Sequence, residues 1–266
     1  MTSTEIPANH PRAESLRIRE KLVEHFLDGT VVEAGLIAHG RGEAFDYLLG
    51  EKTTKPALRA IEAAAAAFLD AKNPVISVNG NAAALVAEEI AKLAKATHAK
   101  IEVNLFYRSL EREIAVKKLL EIAGAHGILG VGENASARIA ELNSERRRVD
   151  PRGILAADVV MVPLEDGDRT EALVKMGKKV IAIDLNPLSR TAQKATITIV
   201  DNIVRTAPKL VEAAQKLKKK SPGVRREILR SFDNEKNLAE SLILIRENLS
   251  RTAERMACGA SEGPVK

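Results

Sequence analysis

Aromatic residues and cysteine are scarce in this chain. It has no Trp, 2 Tyr and 5 Phe, which argues against a stacking platform for single-stranded nucleic acid. The lone cysteine, Cys258, excludes an intramolecular disulfide framework and a zinc site built from several cysteines. The five histidines show no i,i+4 pairing, so a histidine metal site is not expected. These absences favour a reducing, cytoplasmic setting.

Long apolar runs are also missing. No stretch approaches about 18 consecutive apolar residues, and residues 1–12 lack an apolar core behind a basic start. We therefore expect neither a membrane span nor a secretion signal. The sequence does have 266 residues, 45% of them hydrophobic, which is enough for a sizeable core. Its 41 basic and 36 acidic residues give a net charge of +5, which attracts anionic small molecules as readily as polyanions.

Hydrophobic spacing predicts helices at both ends of the chain and an alternating pattern between them. Glu14–Asp28 and Pro56–Ala71 have helical spacing, as do Val224–Phe232 and Lys236–Met256. Between these helices, six short β-branched runs each precede an amphipathic stretch. The predicted pairs are Pro74–Val78 with Ala82–Thr97, Lys100–Leu105 with Leu110–Ala123, Gly127–Val131 with Ala135–Leu142, Ala157–Val162 with Arg169–Met176, Lys179–Asp184 with Ser189–Lys194, and Ile197–Val200 with Val204–Lys219. This alternation predicts an α/β fold with a mostly parallel sheet and helices on both faces.

No linker interrupts the pattern, so we predict one domain over residues 6–256 and a flexible tail over residues 257–266. Polar loops follow most of the predicted strands, at the edge where parallel sheets bind their ligands. These loops include Asn79-Gly80-Asn81, Phe106-Tyr107-Arg108, Glu165 to Arg169, Asn186 to Arg190 and Asp201-Asn202. Each has an ordinary interpretation as a turn or helix cap. Their conjunction along one edge of the sheet favours a binding site.

Carboxylates are concentrated in one of these loops. Asp168 and Glu171 have the spacing of a helix-capping pair. That interpretation leaves Glu165 and Asp166 unexplained. Two carboxylates at a strand end suit Mg²⁺, which is usually held by one or two carboxylates and the phosphates of a nucleotide. Plain solvation of these side chains is the alternative.

A His-Gly-Arg-Gly sequence, His39 to Gly42, precedes a predicted amphipathic stretch. Glycines on both sides of Arg41 allow close backbone approach and leave its guanidinium free to bind phosphate in bidentate fashion. His39 is as compatible with a structural hydrogen bond as with catalysis.

Nucleotide signatures give one rival hypothesis. No Walker A loop is present, because Glu51 stands where its lysine should follow Gly50. Gly130-Val131-Gly132-Glu133-Asn134-Ala135 matches the Gly-x-Gly-x-x-Ala dinucleotide fingerprint, with Asp150 downstream, which keeps a nicotinamide oxidoreductase open. The fingerprint does not follow the first predicted strand, which counts against it.

Two other functions remain open at this point. The basic run from Lys216 to Arg226 suits nucleic-acid phosphates, although a solvated helix end is the more common role of such a run. The long helix Lys236–Met256 suits a helical interaction protein. We expect no nucleic-acid binding, because no aromatic interleaving or recognisable module accompanies the charges.

Several long stretches make the chain resemble the archaeal phosphopantothenate synthetases, also called 4-phosphopantoate–beta-alanine ligases. The resemblance runs from about residue 6 to about residue 255, and departs in Ile122–Asn143 and after Met256. The matching stretches are His10-Pro11-Arg12 with Ser15-Leu16 and Arg19-Glu20, AGLIAHGRGEAFDYLLGEKT (34–53), PVISVNGN (74–81), NLFYR (104–108), ADVVMVPLEDGDRTEALVKMGK (157–178), and DLNPLSRTA with ITIVDNIVR within 184–205.

The resemblance implies a homodimeric enzyme with a Rossmann-like core. It implies a reaction in which 4-phosphopantoate and beta-alanine are joined while ATP is cleaved to AMP and diphosphate, in coenzyme A biosynthesis. The implied ATP contacts are Arg19, Arg41, Asp184, Leu185, Asn186, Arg190, Thr191, Asn202 and Ile203.

The remaining roles are hypotheses from loop position. Arg41 and Arg190 are predicted phosphate clamps, and Glu165 and Asp166 are predicted Mg²⁺ ligands. Asn79, Asn81 and Arg108 are predicted to bind phosphopantoate. The general base is left open among His39, Asp166 and Asp168.

Overall fold

The computed structural model describes residues 6–258 apart from Ala8, Pro11 and Glu165. The helices are α1 Ala13–Leu27, α2 Glu33–Leu49, α3 Lys55–Asp70, α4 Gly80–Thr97, α5 Leu110–Ile122, α6 Gly167–Lys175, α7 Arg190–Lys194, α8 Ile203–Lys218, α9 Pro222–Ser231 and α10 Asn234–Ala257. The strands are β1 Pro74–Val78, β2 Lys100–Val103, β3 Ala137–Arg138, β4 Arg148–Val149, β5 Val159–Pro163, β6 Lys179–Ile183 and β7 Ile197–Ile199. Short 3₁₀ helices cover Gly132–Asn134, Glu145–Arg147 and Ile154–Ala156.

Five parallel strands form the central sheet, in the order β2-β1-β5-β6-β7. The short strands β3 and β4 pair antiparallel outside this sheet. Residues of β1 and β5 are buried along their whole length, as expected for strands covered on both faces. The predicted α/β fold with a parallel sheet is therefore confirmed.

Alternate residues of the strands pack into two separate apolar layers. Ile76 and Met161 belong to the layer that contains α3, α4 and α8. The neighbouring Val75 and Val160 belong to the opposite layer, with Leu173 of α6. In α3, residues 63–67 are all alanines and almost fully buried, which lets that helix approach its neighbours closely.

The predicted strand Gly127–Val131 and helix Ala135–Leu142 are wrong. Gly127, Gly130 and Gly132 have φ of +63°, +78° and +59°, and this left-handed backbone interrupts both regular structures. Only a single parallel bridge joins Leu129 to Glu102 within the described residues of this segment. Irregular chain with short 3₁₀ turns covers the second face of the sheet in place of the predicted helix.

The prediction that His39-Gly40-Arg41-Gly42 precedes a helical stretch is also wrong, because these residues lie inside α2. Neither Gly40 nor Gly42 has a positive φ. The helix ends at Gly50, whose φ is +86° in a left-handed cap. Each glycine costs a helix only about 1 kcal/mol, which tertiary contacts of α2 offset.

Helix α2 runs across the carboxyl edge of the sheet. Its Gly35 carbonyl accepts a hydrogen bond of 2.8 Å from Asn81, which follows β1, and a Cβ on Gly42 would lie 3.5 Å from Leu185, which follows β6. These glycines are about 10 Å apart along the helix, close to the roughly 9.6 Å between β1 and β6. Farther on, Asp46 bonds Asn202 after β7. Strand ends are thus bridged by one helix.

The structure describes only part of the predicted C-terminal tail. Ala257 still belongs to α10, and residues 259–266 of the predicted tail lie outside the described residues. The division into one domain stays a prediction. In the part of the chain that the structure describes, none of the helices has the length and apolar character needed to cross a membrane.

Candidate functional site

A cavity of about 260 Å³ lies where the strand order of the sheet reverses. From β1 the chain continues to β2 on one side, whereas β5 adds on the other side. Ligands of open parallel sheets bind in the crevice at such a switch point. The charged side chains on its wall are Arg41, Arg112, Arg146 and Asp166.

Asn79 and Asn81 both line this cavity, as the sequence predicts, but their amides also hold the fold together. Asn79 Oδ1 accepts from the Ala82 amide at 2.9 Å and caps α4, and its Nδ2 donates to the Pro163 carbonyl at 2.8 Å. Asn81 Nδ2 donates to α2. These two side chains therefore fix the cavity wall, and their role toward a substrate stays a prediction.

Arg108 does not line the cavity, although its loop position predicted a substrate contact. Its side chain is 2% exposed and forms an ion pair with Glu113. Its guanidinium also donates to the carbonyls of Arg148 at 3.0 Å and Gly130 at 2.7 Å. Burial lowers the pKa of Arg108, and Glu113 opposes this effect. Arg108 is a buried anchor for two loops.

Arg112 and Arg146 line the cavity and were missed by the sequence reasoning. Arg112 lies in the first turn of α5, and Arg146 belongs to a run of three arginines in a polar stretch. Helical spacing gave no signal for Arg112, because Arg108 precedes α5 and lies outside the cavity. No sequence signal pointed to Arg146, because a segment without regular helix or strand brings it to the cavity.

Asp166 is engaged twice within the protein. Its Oδ1 accepts from the Arg169 amide at 3.0 Å and caps α6, and its Oδ2 lies 3.1 Å from Arg146 Nε. The predicted cap by Asp168 and Glu171 is wrong, since both carboxylates pair with Arg190 instead. Hydrogen bonds from Arg190 and then Lys175 lower the pKa of Glu171 to about 2. Asp166 caps α6 in place of Asp168, because the helix begins at Gly167.

The described carboxylates do not form a metal cage. No group of three or more His, Cys, Asp or Glu side chains with metal-ligand geometry occurs among the described residues. Both oxygens of Asp166 already have protein partners. The other predicted ligand, Glu165, lies outside the described residues. The residues on view therefore give no support to a Mg²⁺ site held by the protein.

The ends of β6 and β7 carry most of the predicted ATP contacts. Asp184 Oδ1 accepts from the Asn186 amide at 2.9 Å, and Ser189 donates to Oδ2. Burial raises the pKa of Asp184, while Ser189, the Asn186 amide and the nearby Arg41 oppose that effect. The side chains of Leu185, Thr191 and Ile203 are buried. They therefore support the strand ends from inside the protein.

Arg41 links these strand ends to the cavity. It lies on the cavity wall and interacts electrostatically with Asp184. Arg41 is exposed, and its side chain forms no hydrogen bond or ion pair with another residue that the structure describes. Its guanidinium is thus available to a ligand.

A second, smaller cavity of about 40 Å³ lies on the other side of α2. The helix presents His39, Glu43, Asp46 and Tyr47 to it, at the spacing of one helix face. Arg19 of α1 pairs with Glu43 through both carboxylate oxygens, with an Nη2–Oε2 distance of 2.7 Å. Arg19 is therefore held by a carboxylate rather than solvated.

Asn202 is part of a charged network behind the second cavity. Its Nδ2 donates to Asp46 at 3.0 Å, and its Oδ1 caps α8. Arg205 bridges Asp46 and Asp201, and Thr53 Oγ1 donates to Asp201 at 2.7 Å. The network fixes α2 against the start of α8.

Of the three predicted general bases, His39 differs in its surroundings. Burial lowers the pKa of His39; Glu43 opposes this shift and Arg19 adds to it. Its Nε2 is buried and has no hydrogen-bond partner among the described residues. Asp166 and Asp168 are instead held by arginines.

The dinucleotide hypothesis loses its geometric basis, whereas the expected absence of nucleic-acid binding stays a prediction. The dinucleotide fingerprint requires a strand, a turn and a helix, but Gly132 begins a 3₁₀ turn and its amide donates to Glu113 at 2.6 Å. In the basic run, Lys218 donates to the Ala96 carbonyl and Arg225 to that of Lys220. These contacts are those of a helix end.

Comparisons with known proteins agree on one family. The family model described as phosphopantothenate/pantothenate synthetase matches residues 56–248. A Thermococcus kodakarensis protein named 4-phosphopantoate–beta-alanine ligase is 55% identical over 250 residues, which are 94% of this chain and 95% of that protein. A Methanosarcina mazei protein of the same name is 50% identical over 94% of this chain and 98% of its own length. One from Methanospirillum hungatei is 56% identical over 75% of this chain and 81% of its own.

Proposed function

The chain belongs to the phosphopantothenate/pantothenate synthetase family, and from this membership we infer that it is a 4-phosphopantoate–beta-alanine ligase of coenzyme A biosynthesis. It acts on small molecules, with ATP as co-substrate. The product of joining 4-phosphopantoate to beta-alanine is 4'-phosphopantothenate.

The reaction proceeds in two displacements. A carboxylate oxygen of 4-phosphopantoate attacks the α-phosphorus of ATP, and diphosphate leaves as the bond to the β-phosphate oxygen breaks. The amine of beta-alanine, after losing a proton, then attacks the acyl carbon of the adenylate. AMP leaves with the carboxylate oxygen, and the amide bond is formed. Three anionic reactants must meet, so fixed cations at the meeting point stabilise the developing charge.

The position of Arg41 carries this proposal. It is the cavity-lining arginine without a protein hydrogen bond or ion pair among the described residues, and it stands beside Asp184. The acid is placed in the cavity between β1 and β5, and ATP along the ends of β6 and β7. Proposed ATP contacts there are Asp184–Asn186, Arg190–Thr191 and Asn202–Ile203. Arg41 then lies where the carboxylate meets the α-phosphate.

His39 is the general base that its own surroundings favour, although it lines the second cavity, across α2 from the cavity assigned to the acid. Burial favours its neutral form, which is the form that accepts a proton from the ammonium group of beta-alanine. Its Nε2 has no protein partner among the described residues. Arg19 is connected to the cavity beside His39 through its ion pair with Glu43. A test of Arg19 as an ATP contact therefore has to include substitutions of Glu43.

Magnesium is proposed to enter with the phosphates of ATP, because Mg²⁺ keeps several waters and needs only one or two carboxylates. No step is assigned to it, since the described carboxylates form no cage. A cytoplasmic homodimer remains part of the proposal. Exposed apolar side chains of α10, Ile243, Leu249 and Met256, support a subunit contact, which light scattering tests.

One incubation tests the function. The protein is mixed with ATP, MgCl₂, 4-phosphopantoate and beta-alanine, and the products are separated. We expect AMP, diphosphate and 4'-phosphopantothenate in equal amounts, and no AMP without 4-phosphopantoate. With beta-alanine omitted, 4-phosphopantoate should support exchange of labelled diphosphate into ATP. ADP and phosphate as products would contradict the adenylate.

A further inference from the structure

Two arginines of the cavity have no part in the reaction described above. Arg112 comes from α5, and Arg146 from the irregular segment before β4. Arg146 reaches the Asn104 carbonyl after β2 and Asp166 after β5. Neither arginine has a hydrogen bond or ion pair with Asp184 or the other strand ends assigned to ATP among the described residues. Their position requires a separate explanation.

The guanidinium of Arg112 is fixed by neutral groups only. It donates to the carbonyls of Thr30 at 3.1 Å and Gly29 at 3.4 Å, and to that of Tyr107. Arg112 has no ion pair with a carboxylate in the described part of the chain. Carbonyls orient the planar group without cancelling its charge, as expected for a group that meets an anion.

The first turn of α4 reaches the same corner of the cavity. Gly80 begins this helix, and a Cβ there would overlap the carbonyl oxygen of Thr30 and come within 3.3 Å of Arg112 Nη2. The missing side chain therefore brings Arg112 against the start of α4. A helix start carries partial positive charge and N–H donors.

The charges around this corner do not balance. Among the described lining side chains, Arg41, Arg112 and Arg146 face one carboxylate, Asp166, which leaves two positive charges. Arg146 is paired with Asp166 at 3.1 Å and donates to the Asn104 carbonyl at 3.1 Å. Burial lowers the pKa of Arg112, and the positive charge of Arg146 adds to that effect. A dianion between them relieves this repulsion.

We propose that Arg112 and Arg146, with the first turn of α4, bind the phosphate group of the acid substrate and restrict the enzyme to the phosphorylated acid. This assignment rests on the proposed function. The phosphate and the carboxylate lie at opposite ends of the acid's four-carbon chain. With the phosphate held beside α4, the carboxylate points toward Arg41 and ATP. The apolar wall between them, Val32, Ala38, Leu105 and Leu164, contacts the methyl groups.

The test compares 4-phosphopantoate with pantoate, which lacks the phosphate. In Arg112→Gln the ratio of kcat/KM for 4-phosphopantoate to that for pantoate should fall at least about tenfold, the loss of one charged hydrogen bond. The KM for ATP should stay unchanged. Arg146→Gln should lower the same ratio. The control is Arg226→Gln, an exposed arginine of α9, which should leave it unchanged.

A merely structural role gives a different result. If Arg112 only tied its three carbonyls together, its loss would lower turnover of both acids alike, the ratio would hold, and the proposal would be overturned. Arg112→Lys keeps the charge but not the planar fork, and should lower the ratio less than Gln does. Melting temperatures of all variants identify any that fail to fold.

If the variants do not fold, inhibition of the wild-type protein by inorganic phosphate tests the proposal instead. Inorganic phosphate should inhibit competitively against 4-phosphopantoate and not against ATP. Competition against ATP alone would place the anion at the nucleotide and overturn the proposal. Calorimetric binding of 4-phosphopantoate, weakened in Arg112→Gln, needs no turnover. Weaker binding in Arg112→Gln would support the phosphate contact even if the protein showed no ligase activity. If the protein is an active ligase but Arg112→Gln leaves the kcat/KM ratio unchanged, the phosphate contact is rejected and the proposed function stands.

Discussion

Replacing Arg41 shows whether this arginine binds a ligand or stabilises the fold. This side chain is exposed, lines the cavity where the strand order reverses, and has no hydrogen bond or ion pair within the described residues. Its removal leaves no buried protein group unpaired, so Arg41→Ala should change the free energy of unfolding by less than about 0.5 kcal/mol. Alanine is also a better helix former than arginine at this position of α2.

The loss of activity follows from the contact with phosphate. A hydrogen bond to a charged group contributes about 1.5 to 3 kcal/mol, and about 1.4 kcal/mol is a factor of ten. Arg41→Lys keeps the charge but loses the planar two-point hydrogen bond. We therefore expect it to lower kcat/KM for ATP by about 10- to 100-fold. Arg41→Ala should lower it further, because the positive charge beside Asp184 is also lost.

The assay is release of diphosphate at varied ATP with both other substrates saturating, together with thermal unfolding. Arg17→Lys and Arg17→Ala serve as controls, because Arg17 is exposed on α1 and lines none of the cavities described above. They should behave like the wild type. A normally folded Arg41→Ala enzyme with wild-type kcat/KM would refute the reasoning. The site would then have to be rebuilt around Asp184–Arg190.

Four further substitutions test the structure around the site and in the sheet. Gly80→Ala should lower stability by about 1 to 3 kcal/mol and weaken binding of the acid, because its Cβ meets the Thr30 carbonyl; Gly40→Ala, with open space around its Cβ, should instead raise stability by about 0.5 to 1 kcal/mol. Gly132→Ala, at φ +59°, should cost about 1 kcal/mol with ATP affinity unchanged, and tight NAD binding lost in this variant would contradict that outcome. Burial raises the pKa of Glu102 from 4.5 to about 7, so the folded protein keeps a proton that the unfolded chain releases between these pH values. Stability should fall by at most about 3 kcal/mol as pH rises through that window, and denaturant midpoints of Glu102→Gln should lack this difference.

The sequence could predict the sheet because its strands are buried on both faces. Apolar runs such as Val159–Pro163, each followed by a helical stretch, leave few alternatives to a parallel sheet. The edge that holds the cavity follows from that topology. The resemblance to a family added the reaction, which no composition or spacing could have indicated.

The errors arise where tertiary contacts override local patterns. Gly40 and Gly42 resemble a phosphate-binding loop, yet α2 continues through them because its ends are held at Asn81 and Asn202. Arg108 stands directly after a strand and was assigned to substrate, but its partner Glu113 draws it inward. No short-range pattern distinguishes a buried ion pair from a binding residue.

Helix α2 also sets when the site comes into existence during synthesis. Asp46 and Asn202 are 156 positions apart, and Leu48 and its partner Asn248 are 200 apart. At about 5 to 20 residues per second, α2 leaves the ribosome roughly 10 to 30 s before the first of these partners is made. A helix of this length is marginal on its own in water, and the Asn81 contact holds only its first turn, so the part that contains Arg41 is fixed when Asn202 is made. A ribosome that stalls between residues 122 and 202 therefore holds a chain with no ligase site, even though Arg41 and the arginine of α5 have already been synthesised.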